Sequence, residues 1–506
     1  MACNGSWIAS PGRYQDLAKS LCSADPRLMR QDVKATPWSG RPAKVYVVHL
    51  KESAECGKSM VFDTSEALQQ HFNEQSHKAS HGNRAIYILE GGNADFAAAI
   101  GSYFNLHPSM FAEYQCVSNV TAQSRGNEGL LASVWASRQC ISMRYRELVV
   151  FPDRVDDMYG LRCPVTGRHV GSTRINGEFN KVGSAQRKCM RWASAKRPDN
   201  GWDYLLICDP PLRRVRKPAP SSNRIAEEIA LPDSPFQGGY VDFIPEDIQV
   251  KCGVGPSRKS LAEDLLFYVS THGNHLDMTY PTAIDIFLKK IVASHYLRQF
   301  DYERKNVMKV QQIMRRQSDF AHFDLSLVEA QWSDIQSMER RLSQHCLELE
   351  DTLIQLGIPL DPLDPSKVID WRDTSADFQH LYQRFLYLRG WVERINSSIT
   401  ALASIVGNRQ AFKEQQLSLQ ATERSRALTL IGLVFIPLAF TSSLFSMAEP
   451  YAPGDEKFWL YFAISLPMSV LVISLYHVLD LCYSADGSGW SLINFVNVLK
   501  ERMAMK

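Results

Sequence analysis

Three acidic residues crowd one short segment near the C-terminus. Glu449, Asp455 and Glu456 lie within the ten residues AEPYAPGDEK, beside a single cation, Lys457. An isolated acidic loop is ordinarily just solvated, but repeated around a ring of subunits it becomes a collar of negative charge that concentrates cations. Just before it runs a stripe of small side chains. Heptad-like steps select Thr422, Ser425, Thr429, Gly432, Ile436, Ala439, Ser443 and Ser446, seven of the eight small or hydroxylated. The other faces hold the bulk, including Leu428, Leu430, Leu433, Phe435 and Phe440. Two readings stand side by side: close helix packing in lipid, which favours small residues, or a narrow passage lined by one face of each helix in a ring.

Covalent chemistry has no comparable footing. The chain contains no G-x-S-x-G, no P-loop and no H-E-x-x-H, so no enzyme activity is expected. His272 and His275 lack a third ligand, and Asp209-Pro210-Pro211 reads as a strand-ending turn. Eleven cysteines without a C-x-x-C pair read as reduced, mostly buried thiols. Lys+Arg 56 against Asp+Glu 54 gives a net charge of +2, which offers no electrostatic case for nucleic acid. With 45% hydrophobic and 22% charged residues the chain is not predominantly disordered.

The elements that must position the acidic segment and the stripe are two apolar runs. Residues 427–447 (ALTLIGLVFIPLAFTSSLFSM) and 458–479 (FWLYFAISLPMSVLVISLYHVL) contain no Asp, Glu, Lys or Arg. As helices each spans roughly 30 Å, the hydrocarbon thickness of a bilayer. Arg409, Lys413, Arg424 and Arg426 precede the first run, whereas the connecting loop has only Lys457. By the positive-inside rule the large N-terminal part and both termini are cytoplasmic and residues 448–457 lie outside. The N-terminus shows no apolar leader, and the expected host is the plasma membrane rather than an organelle membrane.

From about residue 375 to 447 the only proline is Pro437, which predicts one long helix entering the membrane. Residues 281–317 and 327–356 read as amphipathic helices, separated from the long one by the breaker IPLDPLDPS. The first half mixes predicted strands (44–50, 84–89, 141–151 and 204–208) with helices at 94–103 and 109–115. Arg213, Arg214, Arg216, Lys217 and Arg224 read as a solvated basic linker. The expected fold class is α+β: a cytoplasmic mixed α/β domain (1–255), a helical stalk (256–426), a two-helix transmembrane hairpin (427–447 and 458–479) and a cytoplasmic tail (480–506).

The membrane-proximal sequence resembles the CorA-type divalent-cation transporters, particularly the divergent fungal CorA-like proteins. The residues that carry this are Ser404-Ile405-Val406-Gly407-Asn408-Arg409, then Leu428-Thr429-Leu430 with Val434-Phe435-Ile436-Pro437-Leu438-Ala439-Phe440, and Phe458-Trp459 through Pro467. Upstream, NADFAAAIGSYFNLHPSMFAE (93–113) is similar to the helix pair of the family's cytoplasmic domain. The resemblance implies a funnel-shaped homopentamer whose first spans line a pore. Its cargo would be Mg²⁺ or another divalent cation, which also serves as regulatory ion, and no resident cofactor is expected. Its partners would be the lipid bilayer and further copies of the chain. Where the family ends its pore helix with Gly-Met-Asn, this chain has Ser446-Met447-Ala448, followed by Glu449. An alanine methyl offers neither donor nor acceptor to a hydrated ion, whereas the Ser446 hydroxyl and the Glu449 carboxylate do. Two functions follow: a transporter whose mouth is built from Ser446, Met447 and Glu449, or a non-conducting CorA-like membrane protein with a regulatory or partner-binding cytoplasmic domain.

Overall fold

The computed structural model describes residues 5–29, 36–50, 57, 59–77, 82–116, 140–155, 160–175, 178–217, 227–246, 248, 255–316, 325–364, 366, 368–446 and 457–482. The chain divides into two units, Met1–Ala401 and Leu402–Lys506.

The first unit is built on a seven-stranded sheet. Its strands are β1 (Lys44–Leu50), β2 (Met60–Phe62), β3 (Arg84–Glu90), β4 (Cys140–Val150), β5 (Val170–Ile175), β6 (Glu178–Ala193) and β7 (Trp202–Cys208). They run in the order β2-β1-β3-β7-β6-β4, with β5 paired to the first half of β6. The β3–β7 pair is parallel and the other pairs are antiparallel. β1, β3 and β7 are apolar almost throughout because both of their faces are covered.

One face carries α1 (Arg13–Ser20), α2 (Ser65–His77), α3 (Ala94–Tyr103) and α4 (Ser109–Gln115). Tyr14, Leu68, Phe72, Ile100 and Phe111 from these helices share a core with Val47, Tyr87, Leu205 and Ile207 of the sheet. Asn93 caps α3 by accepting hydrogen bonds from the backbone N–H groups of Asp95 and Phe96. The sequence-derived bounds of α3 and α4 agree with the structure, as do those of β1, while β3, β4 and β7 shift by one or two residues.

The other helices of this unit are α5 (Leu261–His272), α6 (Ile284–Arg316), α7 (Leu325–Leu356) and the first part of α8 (Thr374–Phe445). Asp285 at the start of α6 takes Arg191 of β6 and the Tyr204 hydroxyl of β7. Among the described residues β4 is an edge strand, and helices reach backbone groups on its outer side. The Tyr296 hydroxyl donates to the Arg144 carbonyl at 2.6 Å, and the Ser142 N–H donates to Gln355 at 3.2 Å. α8 buries Phe378, Leu381, Phe385, Leu388, Val392, Ile395 and Ile399, whose alternating steps of three and four make a coiled-coil seam. Phe385 meets Phe300 of α6 edge-on at 5.4 Å.

The basic cluster read as a linker is partly a strand. β8 (Arg214–Lys217) pairs antiparallel with β9 (Glu227–Ala230), and Arg216 bonds Glu228 at 3.1 Å. Val215 between the cations is fully buried against Phe151, Leu161 and Val170. Alternation of charged and apolar residues was the missed signal, since four residues are too few to show a period. The described cysteines are free thiols, with Cys22, Cys163, Cys189, Cys208 and Cys346 buried.

A buried polar seam joins the sheet to α6 and α7. Arg146 of β4 grips Glu348 of α7 through two hydrogen bonds of 3.1 and 2.7 Å. Glu303 of α6 lies 3.5 Å from Arg341 and 3.8 Å from His345. Asp209, read as a turn residue, is wholly buried and takes Arg168 at 2.7 Å and the Tyr114 hydroxyl at 2.8 Å. Burial by itself raises the pKa of each of these carboxyls, but the neighbouring arginines and hydrogen bonds outweigh it. Glu303 is lowered to about 2 by Arg341 and His345. Glu348 is lowered by Arg146 and His345, and Asp209 by Arg168 and Arg187. In the unfolded chain such groups titrate near pH ~4. Their stabilising contribution is therefore complete above about pH 5 and disappears as the pH falls from about 4 toward 2. The melting temperature of the purified protein is expected to hold from neutral pH to about 5 and to drop below 4. Glu303→Gln is expected to melt lower at pH 7 and to show a shallower acid limb. A melting temperature that rises on acidification below pH ~4 contradicts this account.

Candidate functional site

The second unit contains the remainder of α8 and α9 (Trp459–Cys482). Every side chain described between Ser404 and Ile431 is exposed. Among the described residues two helices are long and apolar enough to cross a membrane, α8 and α9, and only 11% of the most apolar stretch of each is buried. The apolar core helix of a water-soluble protein is mostly buried. Here Leu428, Phe435, Ile436 and Phe440 are all more than half exposed. Each such side chain left in water forgoes roughly 1.5–3 kcal/mol, which a hydrocarbon surround restores. The chain is therefore an integral membrane protein with two candidate spans.

The two helices withdraw one face each. On α8, Pro437 and Thr441 are buried and Leu433, Val434, Leu438 and Phe445 half-buried. On α9, Ser465 and Ser469 are buried and Tyr461, Ile473 and Tyr476 half-buried. Phe445 meets Tyr461 edge-on at 6.3 Å where the hairpin closes. The buried hydroxyls are small enough for close approach, and two of them bond within their own helices. Thr441 donates to the Pro437 carbonyl at 2.9 Å and Ser469 to the Ser465 carbonyl at 2.8 Å. Sequence reading overlooked this contact face; Ser465 and Ser469, four apart in an apolar run, were the available signal.

The predicted stripe lies elsewhere on α8. At about 100° per residue, Ile436, Ala439, Ser443 and Ser446 fall roughly opposite the Pro437–Thr441 face. Thr422, Ser425, Thr429, Ile436, Ala439, Ser443 and Ser446 are all exposed, and Gly432 is half-buried. Thr429 donates its hydroxyl hydrogen to the Ser425 carbonyl at 2.9 Å, and Thr422 to the Ser418 carbonyl at 2.8 Å. With the hydrogen turned back into the helix, each hydroxyl oxygen presents lone pairs outward, the polarity that suits a cation or its water shell. Met447, Ala448, Glu449, Asp455 and Glu456 lie outside the described residues.

The histidine pair straddles a helix end. His272 ends α5 while His275 sits in the following 3₁₀ turn, with ring centroids 6.2 Å apart. Among the described residues no group of three or more His, Cys, Asp or Glu is placed to hold a metal ion.

No protein-family model and no curated protein matches the chain. Solved structures do. The chain is similar to a CorA magnesium transporter of known structure. That protein, from Methanocaldococcus jannaschii, is 11% identical, with 88% of this chain and 98% of that chain covered at a TM-score of 0.31. The full-length CmaX protein is likewise 11% identical, with 87% and 99% covered at a TM-score of 0.33. Overlap at this level transfers no residue role, so the function rests on the chain's own residues.

Proposed function

We propose that the chain is a homo-oligomeric membrane transporter for Mg²⁺ or another divalent cation, a pentamer as its CorA resemblance implies. The observation that carries this reading is the stripe on α8, small, hydroxyl-bearing, exposed among the described residues except at the half-buried Gly432, and turned away from the face that meets α9. Two spans cannot enclose a pore, so a passage needs copies arranged in a ring. In such a ring the stripes face the axis while α9 stands outside. Ser446, Met447, Ala448 and Glu449 then form the mouth, with Asp455 and Glu456 as an outer collar that raises local cation concentration. The cations ahead of the first span, Arg424 and Arg426 among them, support a cytoplasmic N-terminal part. The plasma membrane is the proposed host.

The test is uptake of Mg²⁺, Co²⁺ and Ni²⁺ into liposomes holding the purified, oriented protein. Uptake above empty liposomes is expected for at least one ion, and Glu449→Gln is expected to lower it. No uptake of any of the three sinks the transporter reading. An unchanged rate in Glu449→Gln removes only the acidic mouth. One observation favours the second reading: Ala448 stands where the family's pore helix carries an asparagine amide. On that reading the membrane part is an anchor, and the cytoplasmic region binds a partner or senses metal without flux.

A further inference from the structure

Between the β4–β6 pair and α7 lies a cavity of about 10 Å³, the space of roughly one water molecule. Its wall is dominated by cations: Arg144, Arg168, Arg187 and Lys188, with Gln186 and Glu348 beside them. Arg144 and Lys188 are direct cross-strand partners. The nearby carboxylates are already engaged. Glu348 holds Arg146 at 2.7 Å, Asp209 holds Arg168 at 2.7 Å and Glu147 holds Arg187 at 3.1 Å. Arg144 and Asp351 feel each other's charge, but among the described residues Arg144 makes no salt bridge.

Lys188 is 1% exposed. An ammonium carries three hydrogens, and among the described residues Lys188 donates one, to the Glu113 carbonyl. Burial, then the charge of Arg144, push its pKa down to about 7; the Glu113 carboxylate opposes the fall and Arg168 adds to it. A wall with donors in excess calls for an acceptor inside. Water accepts, but it brings two hydrogens that need acceptors of their own, whereas a monatomic anion brings none.

We propose that this cavity binds one small monovalent anion of the chloride class, held chiefly by Lys188 and Arg144. The anion compensates the buried cations and keeps Lys188 protonated at the joint between the sheet and α7. The test uses full-length protein in detergent, with chloride exchanged for gluconate at constant ionic strength. Chloride and bromide are expected to raise the melting temperature by about 2–4 °C over gluconate. Arg144→Met, at a half-buried position, is expected to melt equally in both salts. Crystals grown in bromide are expected to show an anomalous peak between Lys188 and Arg144. A cavity without bromide signal, holding water alone, overturns the proposal whatever the salt does to melting. So does a chloride effect that persists undiminished in Arg144→Met.

Discussion

Arg146→Met is expected to destabilise the protein by about 3–5 kcal/mol, the cost of leaving a buried carboxylate without its partner. Both side chains of the Arg146–Glu348 pair are 6% exposed, so water cannot replace the lost guanidinium. The pair also bridges layers, because Arg146 stands on edge strand β4 and Glu348 on α7. The substitution therefore leaves an unpaired charge at the contact that docks α7 onto the sheet. Arg146→Met combined with Glu348→Met removes both charges and is expected to recover most of the loss, since well-packed apolar replacements of buried ion pairs are commonly neutral or better. Urea unfolding of the detergent-solubilised single and double variants measures this directly. A single variant within about 1 kcal/mol of the parent contradicts it.

Ala439→Phe is expected to reduce divalent-cation uptake to the level of empty liposomes. Ala439 lies mid-stripe on α8, exposed and far round the helix from Pro437 and Thr441. If five stripes meet at an axis, five phenyl rings at one level close a passage whose width depends on small side chains. Ala427→Phe supplies the control: it adds the same bulk at an exposed position off the stripe and is expected to leave uptake near the parent rate. Equal uptake in both variants removes the stripe from the pore lining. Equal loss in both points to disturbed helix packing instead, and the oligomeric state of each variant then separates the two causes.

Much of the architecture was readable in advance because the elements concerned announce themselves locally. The apolar runs around Phe435 and Leu466 carry enough hydrocarbon to define spans without reference to any neighbour. β1 and β3 are short β-branched runs between polar turns, and α3 opens at an asparagine cap. Elements whose stability comes from distant partners were not readable. β6 runs sixteen residues through Lys181, Arg187, Lys188 and Arg191, a composition that suggests solvent until Glu147 and Asp285 are seen beside it. β8 alternates cations with one buried valine, and β5 begins Val-Gly-Ser-Thr.

The candidate site divides in the same way. Which residues of α8 are small, which are bulky and where the acidic hairpin residues fall follow from the covalent chain, because helical periodicity alone sorts side chains into faces. The face that meets α9 required the folded hairpin, since small-residue stripes serve lipid-buried helix contacts and passages alike. Burial of Thr441, Ser465 and Ser469 assigns the intrachain contact to one side and leaves the stripe on the other. The charge network was wholly a tertiary matter. Arg146 and Glu348 are separated by 202 positions, and no local pattern couples them; burial converts two ordinary surface-type residues into one interdependent pair.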